Sequence, residues 1–113
     1  MKVLVTGGRN YFDRHSLFCA LDATHQAYGI TKVIEGGAFG ADRIAREWAQ
    51  KRGVSYIEYR ADWKKHGKNA GPIRNREMAE KENPDVVIAC PGGRGTKNMK
   101  SIARELGIVV WEV

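Results

Sequence analysis

Short apolar runs alternate with longer amphipathic segments along the whole chain. Five runs rich in β-branched residues predict strands over Lys2–Thr6, Lys32–Glu35, Val54–Tyr59, Asp85–Cys90 and Ile108–Val113. The segments between them predict four helices: from a cap at Asp13 to about Tyr28, from Gly40 to Gly53, from Pro72 to about Lys81, and over Thr96–Leu106. The polar stretch Arg60–Pro72 has no period and predicts a loop.

Strands that are apolar throughout and alternate with amphipathic helices are typical of an α/β fold. They predict a mostly parallel five-stranded sheet covered by helices on both faces, in three layers. The 113 residues fit one domain over 1–113. Right-handed crossovers place every strand-to-helix turn at the same edge, where sheets of this kind bind ligands.

Three of the four strand-to-helix turns are rich in glycine: Gly7-Gly8-Arg9-Asn10, Gly36 to Asp42, and Pro91 to Thr96. Glycine lets a ligand approach backbone N–H groups, and a helix that starts there adds unpaired N–H groups that bind anions. One such turn would be weak evidence, since tight turns need glycine anyway. Three at one edge indicate a phosphate-binding site.

Two familiar phosphate motifs are absent from these turns. Gly-x-Gly-x-x-Gly does not follow the first strand, which excludes an ordinary dinucleotide-binding domain. Gly95-Thr96-Lys97 has the wrong order for a P-loop, which excludes a P-loop NTPase.

The charge balance agrees with an anionic ligand. Lys and Arg number 19 against 13 acids, for a formal net charge of +6, although the same excess also keeps a surface soluble. No basic run of five residues exists and aromatic residues make up 9%, so we expect weak binding to single-stranded nucleic acid.

The two cysteines and the termini bear on the compartment. Cys19 and Cys90 lack CxxC or zinc-like spacing, and we expect both to pack as small hydrophobic residues in a reduced, cytoplasmic protein. The apolar run at the N-terminus is too short for a signal peptide, and no run approaches the ~20 apolar residues of a membrane span.

Several motifs occur in order at characteristic separations. They are Thr6-Gly7-Gly8-Arg9, Gly36-Gly37-x-x-Gly40-Ala41-Asp42, Ala61-Asp62-Trp63, Ala70-Gly71-Pro72-x-Arg74-Asn75-x-x-Met78 and Pro91-Gly92-Gly93-x-Gly95-Thr96. With them the chain resembles the SLOG superfamily, and within it the small YspA/YpsA-related branch, over essentially its whole length. The resemblance implies a Rossmann-like fold.

The superfamily includes LOG enzymes, which cleave the N-glycosidic bond of nucleoside monophosphates, DprA, which binds single-stranded DNA, and proposed sensors of nucleotide-derived signals. The resemblance implies a phosphate or ribose contact for the glycines of the Pro91–Thr96 turn and for Thr96, and a catalytic or substrate-contacting role for Arg74, four residues before Met78. The LOG motif continues with a catalytic Glu, but Met99 stands at that position here. We therefore expect a module that binds an AMP-like or ADP-ribose-like ligand, with a LOG-like phosphoribohydrolase or a DprA-like single-strand binder as alternatives.

The ligand-binding residues are expected at these turns and on the helix after Pro72. They are Gly7, Gly8, Arg9, Gly36, Gly37, Gly40, Ala41, Asp42, Arg74, Asn75, Pro91, Gly92, Gly93, Gly95 and Thr96.

Arg74 and Asp42 are the candidate catalytic residues, and each has a structural alternative. Arg74 either binds phosphate through its fork or is a surface arginine. Asp42 either complements the dipole of its helix or accepts a hydrogen bond from a ribose hydroxyl. Trp63 either stacks on a base or anchors the polar loop, whereas the spacing of Trp48 places it in the core.

A metal-dependent alternative has little support. Val33 to Gly37, followed by Asp42, faintly resembles a Toprim pattern, but the strand Asp85–Cys90 offers no Asp-x-Asp pair for magnesium. We expect no metal and no resident cofactor, a nucleotide-derived small molecule as partner, no membrane partner, and a chain compatible with homo-oligomers.

Overall fold

A computed structural model describes residues 1–113. The strands are β1 (Lys2–Thr6), β2 (Lys32–Glu35), β3 (Ser55–Glu58), β4 (Val86–Ala89) and β5 (Val109–Glu112). The helices are α1 (Arg14–Tyr28), α2 (Ala41–Arg52), α3 (Trp63–His66), α4 (Ala70–Glu82) and α5 (Arg94–Glu105), with a 3₁₀ turn at Gly67–Asn69.

The five strands form one sheet in the order β3-β2-β1-β4-β5, and every pairing is parallel. Val3 lies beside Val33 on one side and Val86 on the other. The chain builds outward from β1 to β3 and then returns to place β4 on the other side of β1. The switch in direction therefore lies between β1 and β4, where ligands of such sheets bind.

Alternate residues of the strands enter two separate apolar layers. On one face, Val3 and Val5 pack with α1 and α2, where Leu17, Leu21 and Trp48 are fully buried. The opposite face carries a second layer, in which Leu4 and Val87 pack with Met78 of α4 and with Met99 and Ile102 of α5. The predicted three-layer, Rossmann-like α/β fold and the core position of Trp48 are confirmed.

The segment between β3 and α4 differs from the predicted loop. Asp62 caps α3 by accepting the N–H of Lys65 at 3.1 Å, and the 3₁₀ turn leads directly into α4. The prediction missed α3 because a four-residue helix with no buried residue shows no apolar period.

The helices on either side of β4 both begin earlier than predicted. Helix α4 starts at Ala70, so Pro72 lies inside its first turn, where a missing N–H costs no helical hydrogen bond. Helix α5 starts at Arg94, two residues before the predicted Thr96. Both helices have glycine at or beside their first turn. Because glycine adds nothing to the apolar pattern, that pattern alone did not define where either helix begins.

The prediction that both cysteines are buried is wrong for Cys19. Helix α1 buries Leu17, Leu21 and Thr24, and Cys19 lies on its exposed side near His15. Cys90, which follows β4, is buried as expected. No helix of the fold is both long and apolar enough to cross a membrane.

Candidate functional site

A cavity of about 490 Å³ lies at the carboxyl ends of β1 and β4, at the switch point of the sheet. Its lining comes from the end of β1, the turn after it, the start of α5, and one side of α4. Ala38 and Asp42 contribute from the region after β2, and Trp63 and Lys68 from the segment before α4. The volume falls within the range of ordinary ligand sites, about 300 to 1,000 Å³.

Much of the glycine at this edge serves the packing of the turns against each other. The N–H of Gly8 donates to Pro91 O at 2.9 Å. Gly40 has a φ of 83°, and a Cβ there would lie 2.1 Å from Gly8 O. A Cβ at Gly92 would lie 2.1 Å from the Thr96 hydroxyl oxygen. Gly40 and Gly92 are therefore required by the fold whether or not a ligand binds.

The turn after β2 satisfies its own N–H groups. Asp42 Oδ2 accepts the N–H groups of Gly36 and Ala38 at 3.2 and 3.3 Å, and Glu35 Oε1 accepts that of Gly37 at 2.6 Å. This turn therefore has no free donor from these three residues for an anion.

The start of α5, by contrast, offers free donors. The first helical hydrogen bond runs from the N–H of Lys97 to Gly93 O at 3.0 Å, and no side chain caps the helix. The N–H groups of Arg94, Gly95 and Thr96 consequently have no acceptor within the protein. The Thr96 hydroxyl, on a residue 4% exposed, also makes no hydrogen bond within the protein and borders the cavity.

Arg74 joins three parts of the site. Its Nη1 donates to Gly36 O at 2.6 Å and to Tyr59 O at 3.3 Å, and its Nε donates to the Asn75 side chain at 3.0 Å. Its Nη2 has no partner within the protein. Burial lowers the pKa of Arg74, an effect that the charge of Asp42 opposes. Arg74 is thus partly a structural residue and partly free to bind an anion.

Asn75 connects α4 to the start of α5. Its Nδ2 donates to Gly95 O at 3.2 Å and to Asn98 Oδ1 at 3.0 Å. These bonds position the free donors of α5 relative to Arg74.

Two buried carboxyls lie beside the turn after β2. Burial raises the pKa of Asp42 to about 6, although two N–H groups and Arg74 oppose the shift. Glu35 is fully buried and its Oε2 has no hydrogen-bond partner. Burial raises the pKa of Glu35 to about 7, helped by the charges of Asp42 and Glu58. No group of three His, Cys, Asp or Glu side chains is arranged to hold a metal ion.

The cavity is electrostatically positive. Arg9, Lys68 and Arg94 border it and form no ion pair, whereas Asp42 is its only acidic residue and is 7% exposed. Cations without protein partners in a concave site raise the local concentration of anions.

The structure brings most of the expected ligand-binding residues together. Nine of them line the cavity: Gly7, Gly8, Arg9, Asp42, Arg74, Asn75, Gly93, Gly95 and Thr96. Five border adjoining hollows instead: Gly36, Gly37, Gly40, Pro91 and Gly92. Ala41 is fully buried, where its Cβ would be 2.5 Å from one added at Gly7, and it lines none of these cavities.

Sequence reasoning missed five polar or conformationally restricted residues of the lining: Thr6, Lys68, Pro72, Arg94 and Asn98. Arg94 fills the variable position of the Pro91–Thr96 motif, and Asn98 lies one turn after the helix start. Both could have been found from helix geometry. Lys68 lies in the segment that was predicted as a loop, and nothing in the sequence places it at the cavity.

Comparison with known proteins agrees with this picture. The family model described as the YspA, cpYpsA-related SLOG family matches residues 1–66. The Gene 61 protein of Mycobacterium phage D29 is 42% identical over 118 residues, covering 96% of this chain and 93% of the phage protein. The X-ray structure of TM1055, a Northeast Structural Genomics Consortium target, superposes with a TM-score of 0.72 at 21% identity, covering 96% of this chain and 71% of that chain. The last comparison shows a shared fold.

Proposed function

Because the chain belongs to the YspA, cpYpsA-related SLOG family, we propose that it binds a nucleotide or nucleotide-derived phosphoribosyl ligand, such as AMP or ADP-ribose, in the cavity between β1 and β4. In this proposal the protein acts as a sensor or binding module.

The observation that carries the proposal is the set of free donors at the start of α5. The N–H groups of Arg94, Gly95 and Thr96 and the Thr96 hydroxyl lack protein acceptors beside a cavity with unpaired cations. A phosphate group satisfies several such donors at once and also interacts favourably with the positive end of the helix. The free Nη2 of Arg74 supplies a further charged donor.

Binding without catalysis fits the position of Met99. Its side chain is fully buried in the layer beneath α4 and α5, so this helix position faces the core and not the cavity. A thioether neither accepts a proton nor offsets the positive charge of an oxocarbenium-like ribose. Helix α5 therefore supplies no catalytic carboxylate.

One observation favours hydrolysis of the N-glycosidic bond as a second candidate function. Asp42 borders the cavity, and a carboxyl with a pKa raised to about 6 exchanges protons near neutral pH. In that reaction Asp42 would take a proton from water as the water oxygen bonds to the anomeric carbon. The base would leave with the electron pair of the broken bond and take up a proton.

A ligand panel tests both functions. Calorimetry with AMP, ADP-ribose, ribose 5-phosphate and adenosine should show binding of the phosphorylated compounds and much weaker binding of adenosine. Thr96→Val removes one hydrogen bond to a charged group and should weaken AMP binding by about 1.5 kcal/mol or more, at least tenfold. The matched control is Thr31→Val, which should bind AMP like the wild type because Thr31 is exposed and lies just before β2, away from the cavity.

Chromatography of the protein incubated with each of four nucleoside monophosphates reports hydrolysis. We expect no release of free base from AMP, GMP, CMP or UMP. Release that disappears in Asp42→Asn would make hydrolysis the function. Absence of any phosphate-dependent binding would refute the proposed ligand class.

A further inference from the structure

Two of the tryptophans, Trp48 and Trp63, differ sharply in their surroundings. Trp48 is fully buried, and its indole N–H donates to Asp22 at 2.8 Å. Trp63 is 50% exposed, and its indole N–H has no partner within the protein. An aromatic residue that anchors a segment to the core is buried and has its polar atom hydrogen-bonded, as Trp48 does. Trp63 has neither property, so anchoring does not explain it.

Trp63 lies where two hollows meet. The cavity at α5 and a second hollow of about 270 Å³ beside Gly36 and Gly37 share Arg9, Ala38, Trp63 and Arg74 in their linings. A ligand held at the start of α5 can therefore extend past the indole and remain in contact with the protein.

A cation faces the indole. The Arg9 guanidinium carbon lies 6.0 Å from the centroid of the Trp63 ring, at the outer limit of a cation–π contact, and Arg9 forms no ion pair that fixes it there. Two van der Waals separations of about 3.5 Å add to about 7 Å. An outward shift of roughly 1 Å by this long, exposed side chain would accommodate a flat ring between the two groups.

We propose that Trp63 is the stacking platform for the base of the bound nucleotide and that Arg9 covers the opposite face of that base. The inference rests on the proposed function and narrows it, because the ligand must carry an aromatic base as well as a phosphoribosyl group. Stacking uses a π-face that every base has, so it favours nucleotides over ribose 5-phosphate without selecting strongly among bases.

Calorimetry on Trp63 variants tests the role. Trp63→Ala should weaken AMP binding about tenfold, in keeping with the measured contribution of base–aromatic stacking, and should change ribose 5-phosphate binding less than twofold. Trp63→Phe keeps an aromatic face and should retain most of the AMP affinity. The matched control is Trp111→Phe, since Trp111 is 38% exposed on β5 and contacts Tyr28 instead of the cavity.

Fluorescence gives a second readout. AMP should quench tryptophan emission in the wild type and in Trp111→Phe, but not in Trp63→Phe, and ribose 5-phosphate should not quench. If AMP and ribose 5-phosphate bind equally well, or Trp63→Ala weakens both to the same extent, the stacking role is wrong and the proposed function stands. If neither compound binds, the proposed function fails and the stacking role with it.

Discussion

Glu35 illustrates how a single buried carboxyl couples the stability of this fold to pH. It ends β2 with both oxygens out of contact with water, and only Oε1 accepts a hydrogen bond. Burial, together with the neighbouring charges of Asp42 and Glu58, raises its pKa to about 7. The folded protein therefore holds a proton on the Glu35 carboxyl more tightly than the unfolded chain does.

The sign of the pH effect follows from the raised pKa values. The folded state holds protons on Glu35 and Asp42 that the unfolded chain releases at ordinary carboxyl pKa values. The free energy of unfolding should be highest near pH 4 on account of these two groups and should fall as pH rises toward 7. Above about pH 8, where both carboxyls are ionised in the folded state as well, their contribution becomes constant.

Glu35→Gln should remove part of this dependence. The amide oxygen can still accept the Gly37 N–H, and no charge is buried at high pH. The unfolding free energy at pH 8 should rise by about 1–2 kcal/mol, because the unpartnered amide offsets part of the gain, and should change little at pH 5. Urea denaturation at both values measures the difference.

Glu47→Gln is the control for that experiment. Glu47 forms an exposed ion pair with Arg14, so the change should stay within about 0.5 kcal/mol at either pH. Destabilisation by Glu35→Gln at pH 8 would show that the ionised carboxylate is the form the fold prefers.

Sequence reasoning found the residues with a periodic context and missed those defined by tertiary contacts. It placed Trp48 in the core, because this residue lies on a helical apolar stripe. It placed Glu35 at a strand end but gave no sign that both its oxygens are buried. It also predicted that Cys19 is buried, although Cys19 lies on the exposed side of α1.

At the scale of elements, helix α5 both borders the cavity and packs into the core. Its first turn borders the cavity, while Met99, Ile102 and Ala103 pack into the core one turn later. The predicted helix also included Leu106, which lies just after the observed end of the helix at Glu105 and is 39% exposed. Residues of the first turn of α5 can therefore contact a ligand in the cavity, whereas Met99 cannot.

Met99→Glu restores the LOG-type glutamate and tests this geometry. The new carboxyl would be buried in an apolar layer without a partner, so the unfolding free energy at pH 8 should fall by about 3 kcal/mol or more. Urea denaturation measures this loss, and Lys97→Glu, on an exposed position of the same helix, should cost far less. A Met99→Glu protein of normal stability that released base from AMP would show that position 99 reaches the ligand.

The connection between β3 and α4 contains a helix that is too short to be predicted from the sequence. Helices α1, α2, α4 and α5 have stripes long enough to be recognised, whereas α3 is a single turn held by its Asp62 cap. The short helix still determines the position of Trp63. The part of the site that the sequence located least well is therefore the part we assign to the base.

Across the whole molecule, the strand order decides which turns form the site. The apolar runs predicted a mostly parallel five-stranded sheet, but the order of the strands depends on tertiary packing that no local pattern encodes. Because β4 lies beside β1, the turns after these two strands meet at the cavity. The turn after β2 lies one strand away, and its N–H groups donate to the neighbouring carboxyls of Asp42 and Glu35.

The same edge carries exposed aromatic and basic residues that bear on nucleic-acid binding. Phe12 is 81% exposed and Phe39 is 63% exposed, and the Arg43 guanidinium lies 4.3 Å from the Phe39 ring centroid. Single-strand binders combine such stacking groups with a basic groove that follows the backbone. Here many of the other arginines are already in ion pairs, for example Arg46 with Glu58 and Arg52 with Asp22.

We therefore expect weak binding of single-stranded DNA that depends little on length. Fluorescence anisotropy with labelled thymidine oligomers of about 10 and 30 nucleotides should give similar, weak affinities at physiological salt, and binding should weaken further as salt rises through counterion release. AMP should displace the oligomer if the contact is made in the cavity. Submicromolar binding that strengthens with length, resists AMP and is lost in a Phe12→Ser, Phe39→Ser double variant would instead make single-stranded nucleic acid the partner of this edge.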